Sequence, residues 1–234
     1  VAPKKLKVDP ATQGTLFADA VLRGPEGTEA LVKLRADVKD CQKCPLHEHR
    51  RLVVFGAGRP GVRLALVGEA PGEMEDAVGH PFVGRSGHML TRMLAAMGLQ
   101  RDEVFLTNAT LCRPAMNRTP TRAEIEACKP HLFGQLQAVH PEVIVCLGRT
   151  AAQALLPEVQ AMEYMRLVWH EWNGIPVRVT FHPAFLIRPE GECFRWHAWL
   201  DMKIVLERLG LPIPSDAEAR ERSARIPDLG WDLK

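Results

Sequence analysis

Six cysteines in 234 residues are the first side chains able to do chemistry. Cys41 and Cys44 flank two residues and form a local chelating pair, while Cys112 and Cys128 stand further along. Four thiolates in a tetrahedral arrangement suit either Zn²⁺ or an iron–sulfur cluster, and spacing alone does not choose between them. The plainer alternative is a redox pair plus two core thiols, because cysteine is often simply buried. Cys146 lies inside an apolar run and is expected in the core, and Cys193 has no cysteine neighbour.

Several polar residues follow apolar runs at once. Gly68, Glu69, Ala70, Pro71 and Gly72 form a turn with neither a GxxxxGK[ST] nor a GxGxxG pattern. A proline and two glycines straight after a strand point to backbone pressed close to a ligand. Glu75 and Asp76 follow, and the bland reading of them is a solvated turn. Phe82 sits in a loop between Gly79 and Gly84, as a stacking platform or an ordinary anchor. Arg85, Ser86 and Gly87 open a helix whose first amides can seat a phosphate. Asn108 offers a donor and an acceptor in one plane, which can pair with an imide edge; a turn-forming Asn is the alternative. His182 precedes Pro183 and is either structural or catalytic. Arg113, Arg118, Arg122, Lys129 and Arg188 concentrate positive charge near these loops.

The elements that must position these residues can be read from periodicity. Short apolar runs occur at residues 64–67, 104–106, 143–147 and 177–179. Between them Met89, Met93, Leu94 and Met97 share one helical face, and Ile125, Cys128, Leu132, Leu136 and Val139 share another. Thr121 and Glu124 form a capping box at the start of the second, and Pro130 should kink that helix or displace its start. Thr28 is expected to cap an earlier helix carrying Leu31, Leu34 and Val38. Strands alternating with helices imply βαβ units and a parallel sheet. Ligand sites in such sheets lie beyond the carboxyl ends of the strands, so the four loops should converge on one edge. Residues 1–26 read as a mobile arm, residues 27–211 as the folded domain, and residues 212–234 as a polar tail.

Composition narrows the class. Apolar residues make up 46% and charged residues 25%, which excludes a disordered or fibrous chain. No stretch approaches the roughly 18 apolar residues of a membrane span. The segment VAPKKLKVDPATQG has no apolar core of the secretory kind, so a cytoplasmic protein with reduced thiols is expected. A net charge of +2 argues against a strongly basic coat protein but leaves room for local basic patches.

Taken together, the segments CQKCPL, GEAPGEMED, GHPFVGRSGHML, LTNATLCRPAMNRTPTRAEIEACKPHL, VIVCLGRTAA and FHPAFLIRP resemble the family 4 uracil-DNA glycosylases, the iron–sulfur class of bacteria and archaea. The resemblance spans about residues 38–208. It implies a three-layer α/β/α fold around a four-stranded parallel sheet. It implies a monomeric base-excision-repair enzyme that flips uracil out of double- or single-stranded DNA and hydrolyses its N-glycosidic bond, leaving an abasic site. It also implies a [4Fe–4S] cluster on Cys41, Cys44, Cys112 and Cys128. By the same resemblance Gly68, Glu69, Ala70, Pro71 and Gly72 line the uracil pocket and Phe82 stacks on the flipped base. Asn108 reads the uracil edge, His182 contacts O2, and Glu75 crowds C5 to exclude the thymine methyl. Ser86 and Gly87 match a stretch near the DNA backbone, with Arg85, Arg113, Arg118 and Arg188 as further DNA contacts and Leu186 as the wedge into the vacated stack. The basic insertion of the DNA-crosslinking relatives is missing, because Cys112 runs straight into Arg113, so that activity is not expected. Ala70 stands where some other uracil glycosylases place an Asp or Asn that positions water, which leaves Glu69 as the nearest carboxylate and predicts only modest base assistance.

In the arm, Gln13, Leu16 and Phe17 resemble the peptide that bacterial sliding clamps bind. Localisation with the nucleoid of a prokaryote would follow from DNA repair. The rival reading from another class is a catalytically weak damaged-DNA-binding iron–sulfur module. The joint presence of Asn108 and His182 speaks against it. A radical iron–sulfur enzyme is a further rival, and its clustered CxxxCxxC is missing.

Overall fold

The computed structural model describes residues 25–158 and 160–227. Residues 13–17, expected to bind a sliding clamp, lie outside them. Helix α1 (Pro25–Val38) starts three residues before Thr28, with Pro25 as its first residue, where a missing N–H costs nothing. Strand β1 (Leu64–Gly68) leads to the short α2 (Glu73–Val78) and then α3 (Arg85–Met97). Strand β2 (Val104–Asn108) leads to α4 (Arg122–Val139), and β3 (Val143–Leu147) leads to α5 (Arg149–Leu155). A one-turn α6 (Met162–Met165), β4 (His170–Trp172), β5 (Ile175–Thr180) and a one-turn α7 (Pro183–Leu186) follow. Helices α8 (Arg195–Arg208) and α9 (Asp216–Ala224) complete the order.

The sheet runs β2-β1-β3-β5-β4. The four expected strands pair in parallel, with Gly68 beside Asn108 and Leu147 beside Thr180. The fifth strand, β4, is antiparallel to β5 and joins it through Asn173 and Gly174, both with left-handed φ. An Asn-Gly pair between short strands is the usual signature of a tight hairpin, so this edge strand had a signal.

Strand alternation sends side chains to two cores. Ala65, Val67, Phe105, Ile144 and Cys146 pack beneath Leu132, Leu136 and Val139 of α4 and Leu31 and Val38 of α1. Leu64, Leu66, Leu106, Val145 and Leu147 pack on the other face against Leu90 and Leu94 of α3 and Met202, Val205 and Leu206 of α8. The three-layer α/β/α arrangement follows from strands buried on both faces.

Two local expectations change. Helix α4 runs through Pro130, and its capping box forms as expected, Glu124 N donating to Thr121 Oγ1 at 3.3 Å and Thr121 N to Glu124 Oε2 at 2.7 Å. Pro130 and Glu126 are both exposed, so the carbonyl that the proline leaves unbonded can turn to water. Part of the supposed tail is helix α9, started by the capping box of Ser215 and Glu218 and packed on α3 through buried Ala219. Trp199 Nε1 ties its first turn by donating to Asp216 Oδ1 at 2.8 Å.

Candidate active site

The carboxyl ends of β1, β2, β3 and β5 do converge. Ala109 N donates to the Gly68 carbonyl at 2.9 Å and Thr110 N to that of Glu69 at 3.1 Å, which knits the first two loops together. Gly148 N donates to the Thr180 carbonyl at 2.8 Å and joins the other two.

Gly68 is required by what closes on it. A Cβ there would lie 2.5 Å from Asn108 Oδ1 and 2.5 Å from Phe82 Cζ. One small space is therefore walled by a backbone, an amide and an aromatic ring. Asn108 is 3% exposed, and among the described residues its side chain makes no hydrogen bond, so its donor and acceptor are available. Phe82 is buried with φ of +56°, a conformation that an aromatic residue holds only when its surroundings fix it. Its carbonyl would lie 1.9 Å from a Cβ on Gly87. Gly87 is thus a packing glycine beneath the Phe82 loop, rather than a surface residue free to meet DNA.

Two residues hold that loop. The Glu75 carboxylate accepts from the amides of Val83 at 2.9 Å, Gly84 at 2.8 Å and Gly72 at 3.2 Å. Both oxygens are committed to backbone, so Glu75 ties the Gly72 turn to the Phe82 loop. Its neighbour Asp76 is also buried, accepting from Arg51 N at 2.9 Å, so neither acid sits in a solvated turn. From behind, Arg101 donates to the Pro81 carbonyl and to Thr91 Oγ1, each at 3.1 Å, and burial lowers its pKa to about 10. Sequence reading missed Arg101, which lies in no motif.

The far wall belongs to β3 and β5. Gly148, with φ of +90°, lets the chain pass His182, whose Cβ would be 3.1 Å from a Cβ on Gly148. His182 caps α7, and Ala184 N donates to its Nδ1 at 3.1 Å. A backbone N–H is always a donor, so Nδ1 carries no proton and the neutral ring bears its hydrogen on Nε2. Burial, helped by the charge of Arg188, lowers its pKa to about 4. His182 is therefore a neutral donor at pH 7. Glu69 Oε2 accepts from Thr150 Oγ1 at 2.5 Å. Thr150, at the start of α5, is a second residue the sequence reading missed. Ala70 and Pro71 complete the turn between Glu69 and Gly72, half-buried and buried.

The proposed DNA contacts divide. Arg188 is exposed near His182, and Arg85 and Ser86 are half-buried at the start of α3. Arg113 donates to Asn117 Oδ1 at 2.7 Å and pairs with Glu73 at 3.6 Å. Arg118 is ion-paired but still exposed: its two Nη atoms grip the Glu124 carboxylate at 2.8 and 2.6 Å, holding that carboxyl down at about pKa 2. Leu186 is corrected. It is 1% exposed, packed with Met89 and Ala198, and cannot reach a base stack without unpacking that cluster.

The four candidate ligands border one small cavity. Cys41, Cys44, Cys112 and Cys128 line it together with Arg50, Leu111 and His131. Arg50 donates to Cys112 Sγ at 3.2 Å and Leu111 N to Cys128 Sγ at 3.4 Å, while His131 Nε2 lies 3.4 Å from Cys41 Sγ. Among the described residues, no three His, Cys, Asp or Glu side chains gather as one metal ion would need. Cys146 is in the core as expected, and Cys193 is exposed.

Two clefts lie elsewhere, about 410 Å³ beside Trp196 and Trp199 and about 880 Å³ beside Arg101 and Arg222. Neither includes Asn108, Glu69 or His182, so the convergence of polar groups, rather than volume, locates the site. No described helix is long and apolar enough to cross a membrane.

The model of the uracil DNA glycosylase superfamily matches residues 55–203. A Type-4 uracil-DNA glycosylase of Pyrobaculum aerophilum is 41% identical over 170 residues, 68% of this chain and 85% of that protein. Proteins of the same name match from Archaeoglobus fulgidus, 40% identical over 69% of this chain and 86% of theirs, and Thermotoga maritima, 43% identical over 73% and 86%.

Proposed function

This chain belongs to the uracil-DNA glycosylase superfamily, with Type-4 enzymes among its relatives, and from that premise we propose that it excises uracil from DNA by hydrolysing the N-glycosidic bond, as a step of base excision repair. The observation that carries the reading is the Asn108 amide, buried, without a hydrogen-bond partner among the described residues, and set against Gly68 together with the tip of the Phe82 ring.

A base inside a duplex must first be extruded, at about a few kcal/mol. Phe82 offers the extruded ring a face. The Asn108 amide accepts from uracil N3–H and donates to O4. Cytosine reverses that pattern and would leave buried polar groups unpaired, at roughly 1–3 kcal/mol each. Cleavage leaves negative charge on uracil O2, and the His182 Nε2–H donates to it as it develops. Water then adds to the oxocarbenium-like sugar carbon. Glu69, oriented by Thr150, is the carboxylate placed to assist that water.

The cysteine set fits a [4Fe–4S] cluster. Four thiols border one cavity without meeting at a point, which suits one thiolate per iron, and the donors from Arg50 and Leu111 suit anionic sulfur. When bound, the cluster supplies a cross-link between residues 41–44 and the segment bearing Arg113. A role for Gln13, Leu16 and Phe17 in binding a sliding clamp is a separate part of the proposal, on residues outside those described.

The test is incubation with a uracil-containing oligonucleotide followed by alkali. Strand breaks at the uracil position support turnover. Retained DNA binding without breaks would favour the damage-binding module.

A further inference from the structure

Extruding a base leaves a gap that something apolar must fill, and the burial of Leu186 removes the residue the motif suggested. We propose that Met116 is the side chain that enters the gap between the bases flanking the extruded uracil, an inference that rests on the uracil reading above.

Met116 is 87% exposed, more than any other large apolar residue described. The backbone aims it outward. Met116 and Asn117 have φ of +53° and +56°, consecutive left-handed positions that Asn tolerates but Met does not take without support. The support is visible. Asn117 N donates to the Pro114 carbonyl at 3.1 Å, Arg118 N to that of Ala115 at 3.2 Å, and Arg113 Nε to Asn117 Oδ1 at 2.7 Å. The turn is therefore closed and rigid, with an unbranched thioether at its tip.

It is also tied to the pocket. Arg113 pairs with Glu73, the residue after Gly72, which ends the turn that lines the candidate uracil site. Cys112 and Arg118, the latter gripping Glu124 of α4, fix its two ends. Arg122, exposed beside it, adds positive charge suited to phosphate. Proteins that kink or open duplexes use apolar side chains such as methionine in this way. Leu167, 74% exposed, is the closest rival in exposure, but it follows α6 beside the β4 edge and has no such link to the Gly72 turn.

Single-turnover excision from a paired duplex and from a single strand of the same sequence tests the assignment. A wedge matters only where a stack must stay open. Met116→Ala should slow the duplex reaction about tenfold or more and leave the single-strand reaction within about twofold. Met116→Leu should restore the duplex rate, and Leu167→Ala should change neither. The fluorescence of a 2-aminopurine beside the uracil should rise on binding of the wild type and rise less with Met116→Ala. Equal loss on both substrates would mean a role in loop structure, and no loss on duplex would mean no role; either overturns the inference. A wild type that releases uracil from neither substrate would instead overturn the uracil reading itself.

Discussion

Replacing His182 separates a job the structure shows from one that the proposed reaction gives the same ring. Nδ1 accepts from Ala184 N and caps α7, while Nε2 bears the hydrogen that the proposed reaction directs to uracil O2. His182→Ala removes both. Loss of the cap costs about 1 kcal/mol of stability. Loss of one donor to a developing oxyanion costs about 2.7–4 kcal/mol in the barrier, or a factor of about 10²–10³ in rate. His182→Asn keeps a side chain favoured at the cap but is too short to present its amide where Nε2–H stood. The expected result is near-normal thermal stability for His182→Asn, a modestly lowered stability for His182→Ala, and single-turnover excision down about a hundredfold in both. The pH profile adds a second readout. With its pKa lowered from 6.5 to about 4, the ring is neutral through the physiological range, so this group gives a flat rate from about pH 5.5 to 8.5. Protonating Nδ1 would break the bond from Ala184, so activity falls as the pH approaches 4. The same shift sets a stability trend. The unfolded chain takes up the proton near pH 6.5 and the folded one only near 4, so stability present above 6.5 is lost as the pH falls through that window. Undiminished excision in either variant would refute the donor role. A rate that climbs as the pH drops through 6.5 would show that the imidazolium is the working form.

Other outcomes follow from single contacts. Glu69→Gln and Thr150→Val should each slow excision only about three- to tenfold, with Thr150→Ser restoring it; complete loss in Glu69→Gln with DNA binding intact would mean that the base carries far more of the barrier. Gly68→Ala places a methyl 2.5 Å from both Asn108 Oδ1 and Phe82 Cζ, so excision should fall about tenfold or more in a folded protein, and an unchanged rate would place the pocket elsewhere. Cys128→Ser should lower bound iron, measured by its visible absorption, and depress the melting temperature by about 5–10 °C; full iron content would remove Cys128 from the ligand set.

Most of the scaffold was legible because its signals are local. Four apolar runs buried on both faces became four parallel strands, and the Thr121 capping box started its helix where the sequence placed it. The hairpin at Asn173 and Gly174 and the cap at Ser215 were present in the sequence but outweighed by the surrounding polar residues. The site was half legible. Phe82 and Asn108 close on Gly68, and His182 lies against Gly148 at the same edge of the sheet. Their supports do not follow from pattern. Arg101 and Thr150 act across long chain separations, and Glu75 turns inward to three amides because the loop around it closes on itself. Leu186 shows the limit most clearly. Its position after His182 suits a wedge, yet the packing of α7 against Met89 and Ala198, a tertiary fact, buries it.

Counting the freed base shows whether this protein releases uracil. Three duplexes alike except for uracil, thymine or cytosine at one position would be incubated with the protein, the free base identified by mass spectrometry, and alkali-labile sites counted in parallel. Free uracil in a one-to-one ratio with abasic sites is expected from the first duplex, and no base from the other two. Tight binding to the uracil duplex with no base released would contradict the proposed activity.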